Sequence, residues 1–271
     1  MKIGIITRAH ITGKQSPLMP AVARLLRKYG ASVEIIYPED RLKHLRQIHP
    51  TYDLYILKDT SPMGLGFGGA LYSAGAKIIN PYPASAILRD KIAATSILKS
   101  ARLPVPDTYV VKEIRQLAPL LGSGPLIIKP YRGSRGAGIK VVRNTRELAQ
   151  LPVCQDPVFA QRYHKPDGPD HKLYSIGGQV FGVLRSWPAR TYKEKLGCPF
   201  PVTPALRDLA LRCGKAFGVG IFGVDVVMSH GLPYIVDMQN FPGFKGVPNA
   251  ALKLADYIYR IARSISHKNE S

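Results

Sequence analysis

The stretch PLIIKPYRGSRGAGIKVV, residues 125–142, decides how the rest of the chain is read. Its apolar flanks have the pattern of strands and its centre is a glycine-rich turn, so it predicts a strand–turn–strand unit. Lys129 sits in the otherwise apolar IIKP, four residues before Gly133. The glycines of Gly133-Ser134-Arg135-Gly136-Ala137-Gly138 let backbone N–H groups approach phosphate oxygens, and Lys129 supplies a point charge. The GK[ST] ending and the following helix of a P-loop are missing. Glycine alone would also explain a flexible hairpin tip. It does not explain the lysine.

Downstream, FGVDVVMSHGLPYIVDM (222–238) reads as two strands about a Gly-Leu-Pro turn, with Asp225 and Asp237 on the facing strands. Gln239, two residues past Asp237, falls on the same strand face. Two carboxylates and an amide oxygen facing one spot suit Mg²⁺, which takes oxygen ligands and nucleotide phosphates. Between these elements lie a strand, VFAQRY (158–163), and HKLYSIGGQVFGVLRSW (171–187), a hairpin about Gly177-Gly178. Residues 204–217 and 251–265 read as amphipathic helices.

Upstream, strands at 2–7, 32–37, 53–58 and 77–80 alternate with helices at 17–29 and 68–75 and a polar helix-like stretch at 39–48. That alternation implies a parallel sheet with crossover helices, ending near Tyr82. A single helix is expected over 85–101. Gly64, Gly66 and Gly69 match GxGxxG, but they follow the third strand and no acidic residue ends a strand at the right distance beyond. They are better read as a glycine-rich helix start beside a crevice. Open parallel sheets bind ligands outside the carboxyl ends of their strands. Arg8, His10 and Lys14 after the first strand, and Lys58 after the third, are therefore candidate anion contacts.

Of 271 residues, 45% are hydrophobic and 21% charged, an ordinary globular balance. Charge is the unusual feature: 38 Lys and Arg against 18 Asp and Glu leave +20. The excess favours nucleic acid, an acidic polymer, a phosphorylated metabolite or an anionic membrane surface, and the expected partner is an anionic small-molecule or peptide substrate. It is spread along the chain with no basic tail or RNA-binding aromatic signature, so nucleic acid is not the expected partner. Cys154, Cys198 and Cys213 form no CxxC pair, no apolar run approaches a membrane helix, and the expected compartment is the cytoplasm.

RDK (89–91), LPVPDT (103–108), IIKP (127–130), GSRGAG (133–138), FAQRY (159–163), FGVD (222–225) and IVDMQNFPG (235–243) occur in the order of the ATP-grasp superfamily. The chain most resembles its ribosomal-protein glutamate ligase and glutathione synthetase branch. HKLYSIGGQVFGVLRS and DMQNFPGFKG also resemble segments of the inositol trisphosphate kinases. The resemblance implies an α/β N-terminal domain over 1–82 and an α+β ATP-grasp fold whose lobes, 83–163 and 164–271, clamp the nucleotide. Carried over by residue, Lys91 and Lys129 would touch ATP phosphates, and Gly133, Ser134, Arg135, Gly136 and Gly138 would cover them. Gln161, Arg162 and Tyr163 would fall at the adenine-binding connection, with Asp170 near the ribose. Asp225, Asp237 and Gln239 would take Mg²⁺, or Mn²⁺ in its place, and Arg185 would join Lys129 as a catalytic cation on acyl-phosphate oxygens.

The branch usually has Glu-x-Asn where this chain has Asp237-Met-Gln239. The expected function is an ATP- and Mg²⁺-dependent carboxylate–amine ligase acting through an acyl phosphate. Two alternatives stand beside it: a kinase for a polyol phosphate such as an inositol phosphate, and an inactive nucleotide- or nucleic-acid-binding protein. Homo-oligomerisation is left open.

Overall fold

The structure, a computed structural model, describes residues 1–8, 17–40, 44–131, 138–152, 156–186, 191, 194 and 196–269, without the side chains of 267–269. Strands β1 (Lys2–Ile6), β2 (Ser32–Ile36), β3 (Leu54–Leu57) and β4 (Ile78–Ile79) form a parallel sheet in the order β2-β1-β3-β4. Both faces are buried, as parallel sheets require. Ile3, Ile5, Leu54 and Ile56 join a core with helix α1 (Leu18–Lys28), while Ile6, Tyr55 and Leu57 pack with helix α2 (Pro62–Ser73).

Helix α2 starts six residues before the expected 68. Ser61 caps it by accepting from Gly64 N, and Pro62 fills a first-turn position that needs no N–H. The glycine cluster therefore lies inside the helix. The polar stretch 39–48 is not one helix: Pro38–Asp40 and Leu45–Gln47 are short 3-10 turns, and 41–43 lie outside the described residues. With Leu45 78% exposed, a helix there would have no apolar stripe to bury.

The helix expected over 85–101 is two, α3 (Tyr82–Ile87) and α4 (Lys91–Ser100). Between them Asp90 turns extended and its carboxylate accepts from Ile92 N and Ala93 N. An N-cap aspartate restarts the helix one residue before Lys91.

A second, antiparallel sheet contains β5 (Thr108–Val111), β6 (Leu126–Pro130), β7 (Lys140–Val142) and β8 (Val158–Arg162), in the order β5-β8-β6-β7. Strands β6 and β7 pair as the expected hairpin. A 3-10 helix, Ile114–Ser123, and helix α5 (Thr145–Ala149) close its small core around Leu117, Leu126, Val142 and Leu148.

The third sheet is β9 (Asp170–Ile176), β10 (Gln179–Arg185), β11 (Cys198–Phe200), β12 (Ile221–Ser229) and β13 (Leu232–Asn240), in the order β11-β10-β9-β12-β13. Gly177 and Gly178 both have positive φ, as the β9–β10 turn requires. The β12–β13 turn is His230-Gly231, φ +51° and +73°, and Leu232 already belongs to β13. Leu173, Val224, Val226 and Met238 share a core with helix α6 (Pro204–Phe217). The C-terminal helix α7 (Ala250–Asn269) packs on α1, so residues from both ends of the chain build one core.

Candidate functional site

On β12 and β13, Asp225 lies directly opposite Asp237. A two-residue turn would by itself set Asp225 against Val236, since Ser229 pairs with Leu232 and Val226 with Ile235. A bulge between Asp225 and Val226 leaves Val236 unpaired and brings the two carboxylates to one face. Gln239 joins them: its Nε2 lies 3.2 Å from Asp225 Oδ2 and 3.1 Å from Asp237 Oδ2.

The carbonyl of the bulge residue has its own partner. Lys129 Nζ, from β6 in the second sheet, donates to Val236 O at 2.8 Å and to Gln161 Oε1 at 2.7 Å. Gln161 in turn donates from Nε2 to Thr108 Oγ1 at 3.1 Å. Lys129 is 6% exposed, and burial pushes its pKa down to about 8 against the upward pull of Asp237. Lys91, Asp225 and Asp170 also act on that charge, so these groups form one electrostatic cluster between the two sheets. Asp170, at the start of β9, has its pKa pushed up to about 6, first by burial and then by Asp225.

Sequence reasoning missed a cation at the centre. Lys172, 3% exposed on β9, is paired in register with Asp225 and forms an ion pair with its Oδ1. The available signal was the one used for Lys129, a lysine inside an apolar strand. Asp90 and Tyr131 were missed too. The Tyr131 hydroxyl donates to Asp90, which ties the chain just past β6 to the start of α4, where Lys91 lies.

Arg185 ends β10 opposite Asp170. Its Nη2 donates to Tyr174 Oη at 2.6 Å and to Lys245 O at 3.1 Å, while its buried Nε has no partner among the described residues. A buried guanidinium N–H without an acceptor is costly and suits an anion.

Other expected contacts fall elsewhere. The Arg162 guanidinium turns away to the carbonyls of Leu120 and Gly124, where it closes the end of the 3-10 helix. Tyr163 follows β8, its N–H bonded to Pro125 O. Lys58 Nζ donates to Phe241 O at 2.6 Å and sits 5.6 Å from that ring, which makes it a strut between the first sheet and the segment after β13. Arg8 is exposed at the end of β1. Gly64, Gly68 and Gly69 let α2 approach Asp59, Leu57 and Tyr82, so that cluster serves packing. Gly138 has φ +75°, and a Cβ there would come 2.8 Å from Pro130. His10, Lys14, Gly133, Ser134, Arg135 and Gly136 lie outside the described residues.

Among the described residues, no three His, Cys, Asp or Glu side chains cluster as a metal site. The centre offers two carboxylates and the Gln239 amide, whose oxygen and nitrogen can exchange places by a flip. An all-oxygen set of this kind fits Mg²⁺.

Residues 88–260 match the sequence model of the RimK-like ATP-grasp domain. "Probable alpha-L-glutamate ligase 2" of Shewanella amazonensis is 27% identical over 202 residues, 66% of this chain and 67% of that protein. Matches of this kind span between 58% and 67% of the first curated relatives' length. Among solved structures, a RimK domain ATP-grasp protein of Sphaerobacter thermophilus superposes with a TM-score of 0.74 at 17% identity, covering 97% of this chain and all of that one. The D-alanine–D-alanine ligase of Bacillus anthracis, solved with ATP, gives 0.74 at 20% identity and covers 99% of each chain. At such identities the superpositions establish the fold.

Proposed function

Since the chain belongs to the RimK-like ATP-grasp family, we propose that it is an ATP- and Mg²⁺-dependent carboxylate–amine ligase working through an acyl phosphate. The observation that carries this is the facing pair Asp225–Asp237 under a buried lysine from the opposite sheet. In this reading residues 83–163 and 164–271 are the two clamping lobes, and 1–82 contributes to the acceptor side. Two of the proteins named above carry ligase names, the Shewanella amazonensis relative and the Bacillus anthracis structure, which favours this activity over a kinase.

Each residue has a role that its position supports. Lys91 and Lys129 bind the phosphates of ATP, and Gln161 and Val236 O fix the Lys129 ammonium where it is needed. Asp225 and Asp237, with the Gln239 amide oxygen, would hold Mg²⁺, or Mn²⁺ in its place. The ion supplies neutralisation of phosphate charge when bound. A substrate carboxylate oxygen attacks the γ-phosphorus and ADP leaves; the neutral amine then attacks the acyl carbon, expels phosphate and loses its proton. Arg185 Nε is the donor for the acyl-phosphate oxygens. Positioning and electrostatic stabilisation dominate such a transfer. The acceptor is an anionic small molecule or peptide, met in the cytoplasm.

The test is ADP and free phosphate measured in parallel from MgATP over fractionated cytoplasmic metabolites. Equal amounts, dependent on two added fractions, are expected. ADP without free phosphate would make the protein a kinase. Neither product from any fraction would favour a binding protein.

A further inference from the structure

Arg185 is a cation that the protein holds without neutralising. Its two partners are the Tyr174 hydroxyl at 2.6 Å and the Lys245 carbonyl at 3.1 Å, and both bonds start from Nη2. Neither acceptor carries a charge. Burial pushes the Tyr174 pKa up to about 12, so the phenol stays neutral at ordinary pH. Among the described residues no carboxylate forms an ion pair with Arg185. Asp170 lies opposite it in the β9–β10 ladder, yet after burial it is Asp225, Lys172 and Lys129 that act on that carboxylate. A guanidinium has five N–H groups, and tethering Nη2 leaves those of Nε and Nη1 for a ligand.

The tether is itself held in place. Tyr174 is 2% exposed and lies in β9, the middle strand of the third sheet. Its ladder partner on β12 is Gly223, so no side chain crowds the ring from that strand. The Phe244 ring packs against Tyr174 with centroids 5.2 Å apart, and the carbonyl of the next residue, Lys245, is the second tether. One aromatic contact thus links the two acceptors. Gly246 follows with φ +82°, where a Cβ would come 2.3 Å from Leu196 O. A carboxylate in place of the phenol would hold the guanidinium as firmly, but it would cancel the charge that an anion needs.

We propose that Tyr174 is the positioning residue for Arg185: its neutral hydroxyl aims the guanidinium at the phosphoryl group of the acyl phosphate and leaves the full charge for those oxygens. This rests on the ligase reading above. A tyrosine that served the core alone would act through its ring. Losing its hydroxyl would then change stability and leave phosphate binding as it was.

The test uses the products, MgADP and inorganic phosphate, and needs no acceptor. The full chain is labelled with ¹⁵N-arginine, and the Arg185 Nε–H signal is identified by its loss in Arg185→Met. Inorganic phosphate titrated into the MgADP complex should shift that signal. In Tyr174→Phe the phosphate dissociation constant should rise about tenfold, the scale of one hydrogen bond, with MgADP affinity unchanged. Added to Arg185→Met, the same change should have no further effect, because the tether then has nothing to hold. Equal phosphate affinity in wild type and Tyr174→Phe, or losses that multiply in the double variant, would overturn the proposal. So would a wild-type Nε–H signal that phosphate leaves in place, a result that does not depend on any Tyr174 variant folding. No binding of MgADP to the wild type would instead overturn the ATP-site reading beneath it.

Discussion

Lys129 and Lys58 are both lysines near strand ends, the first buried and the second half-buried, and desolvation pushes the pKa of each down to about 8. They differ in what surrounds them. Lys129 is held by Gln161 and Val236 O with Asp237, Asp225 and Asp170 within electrostatic reach. Among the described residues Lys58 meets one backbone carbonyl and the face of Phe241, with Asp59 next to it in sequence. The same perturbation thus marks a charge aimed at a ligand in one place and a charge bracing two parts of the molecule in the other. Desolvation alone does not identify a functional lysine; its companions do.

The sharpest way to break this comparison is to remove each charge while keeping the volume. Lys129→Met should cut MgATP turnover by at least ~100-fold, the scale seen when one preorganised electrostatic contact is lost. Asp225→Asn should do the same. Lys58→Met should leave turnover within a few-fold of wild type and change the urea midpoint instead. Equal losses in the two lysine variants would return Lys58 to the substrate site. Circular dichroism on each variant separates inactivity from unfolding.

The pH dependence sharpens the contrast. Both lysines have folded values near 8 against an ordinary 10.5, so between those values the unfolded chain holds more protons. Stability should therefore rise with pH across that window, by up to about 1.4 kcal/mol per pH unit for each lysine. Below pH 8 the cost of burying each charge is present in full. Each Met variant should flatten the stability profile by one lysine's share. Only Lys129 should also set a fall in kcat/KM for ATP above about pH 8, because that quantity reports the free enzyme. Lys129→Arg should move the fall out of range.

A smaller effect tests the two glycine clusters. Gly64 packs so closely on Asp59 that an added methyl would overlap the carboxylate. Gly64→Ala should cost roughly 1–3 kcal/mol of stability, with ATP affinity of the folded protein unchanged. A loss of ATP affinity at unchanged stability would give that glycine motif a part in nucleotide binding.

Much of this was legible from the chain. Apolar runs announced most strands of the three sheets, though not β11 at Cys198–Phe200, and the facing aspartates were named from their hairpin. Yet what sets Asp225 opposite Asp237 is the bulge at Val236, together with a His230-Gly231 turn that sequence reasoning placed at Gly-Leu-Pro. A bulge has no reliable local signature, since it is settled by what both sheet faces must pack. The break at Asp90 was readable as an N-cap, but the apolar pattern on both sides of it suggested one continuous helix. Lys172 escaped because its neighbours read as an ordinary hairpin, and only the pairing of β9 with β12 shows which carboxylate it meets. Arg162 and Lys58 were assigned by position in a motif or at a strand end. Such a position does not reveal which way a long side chain turns.

Asp170 carries the smallest expected effect and the one that links stability to function at the site. Its pKa is pushed up from 3.8 to about 6, so between these values the folded protein keeps a proton that the unfolded chain has lost. Stability should fall as pH rises through that window, and the loss should persist at neutral pH. Asp170→Asn removes the charge and should be more stable than wild type at pH 7 by roughly 1 kcal/mol, because partial exposure screens the carboxylate. Near pH 4 the two should converge. If the carboxylate serves the ribose of ATP, the same variant should raise the KM for ATP about tenfold, the scale of one lost hydrogen bond to a charged group. Urea midpoints at the two pH values and a KM measurement separate the outcomes. A gain in stability with no change in KM would leave Asp170 as a strained charge without a ligand, and would move the ribose to another residue of the cleft.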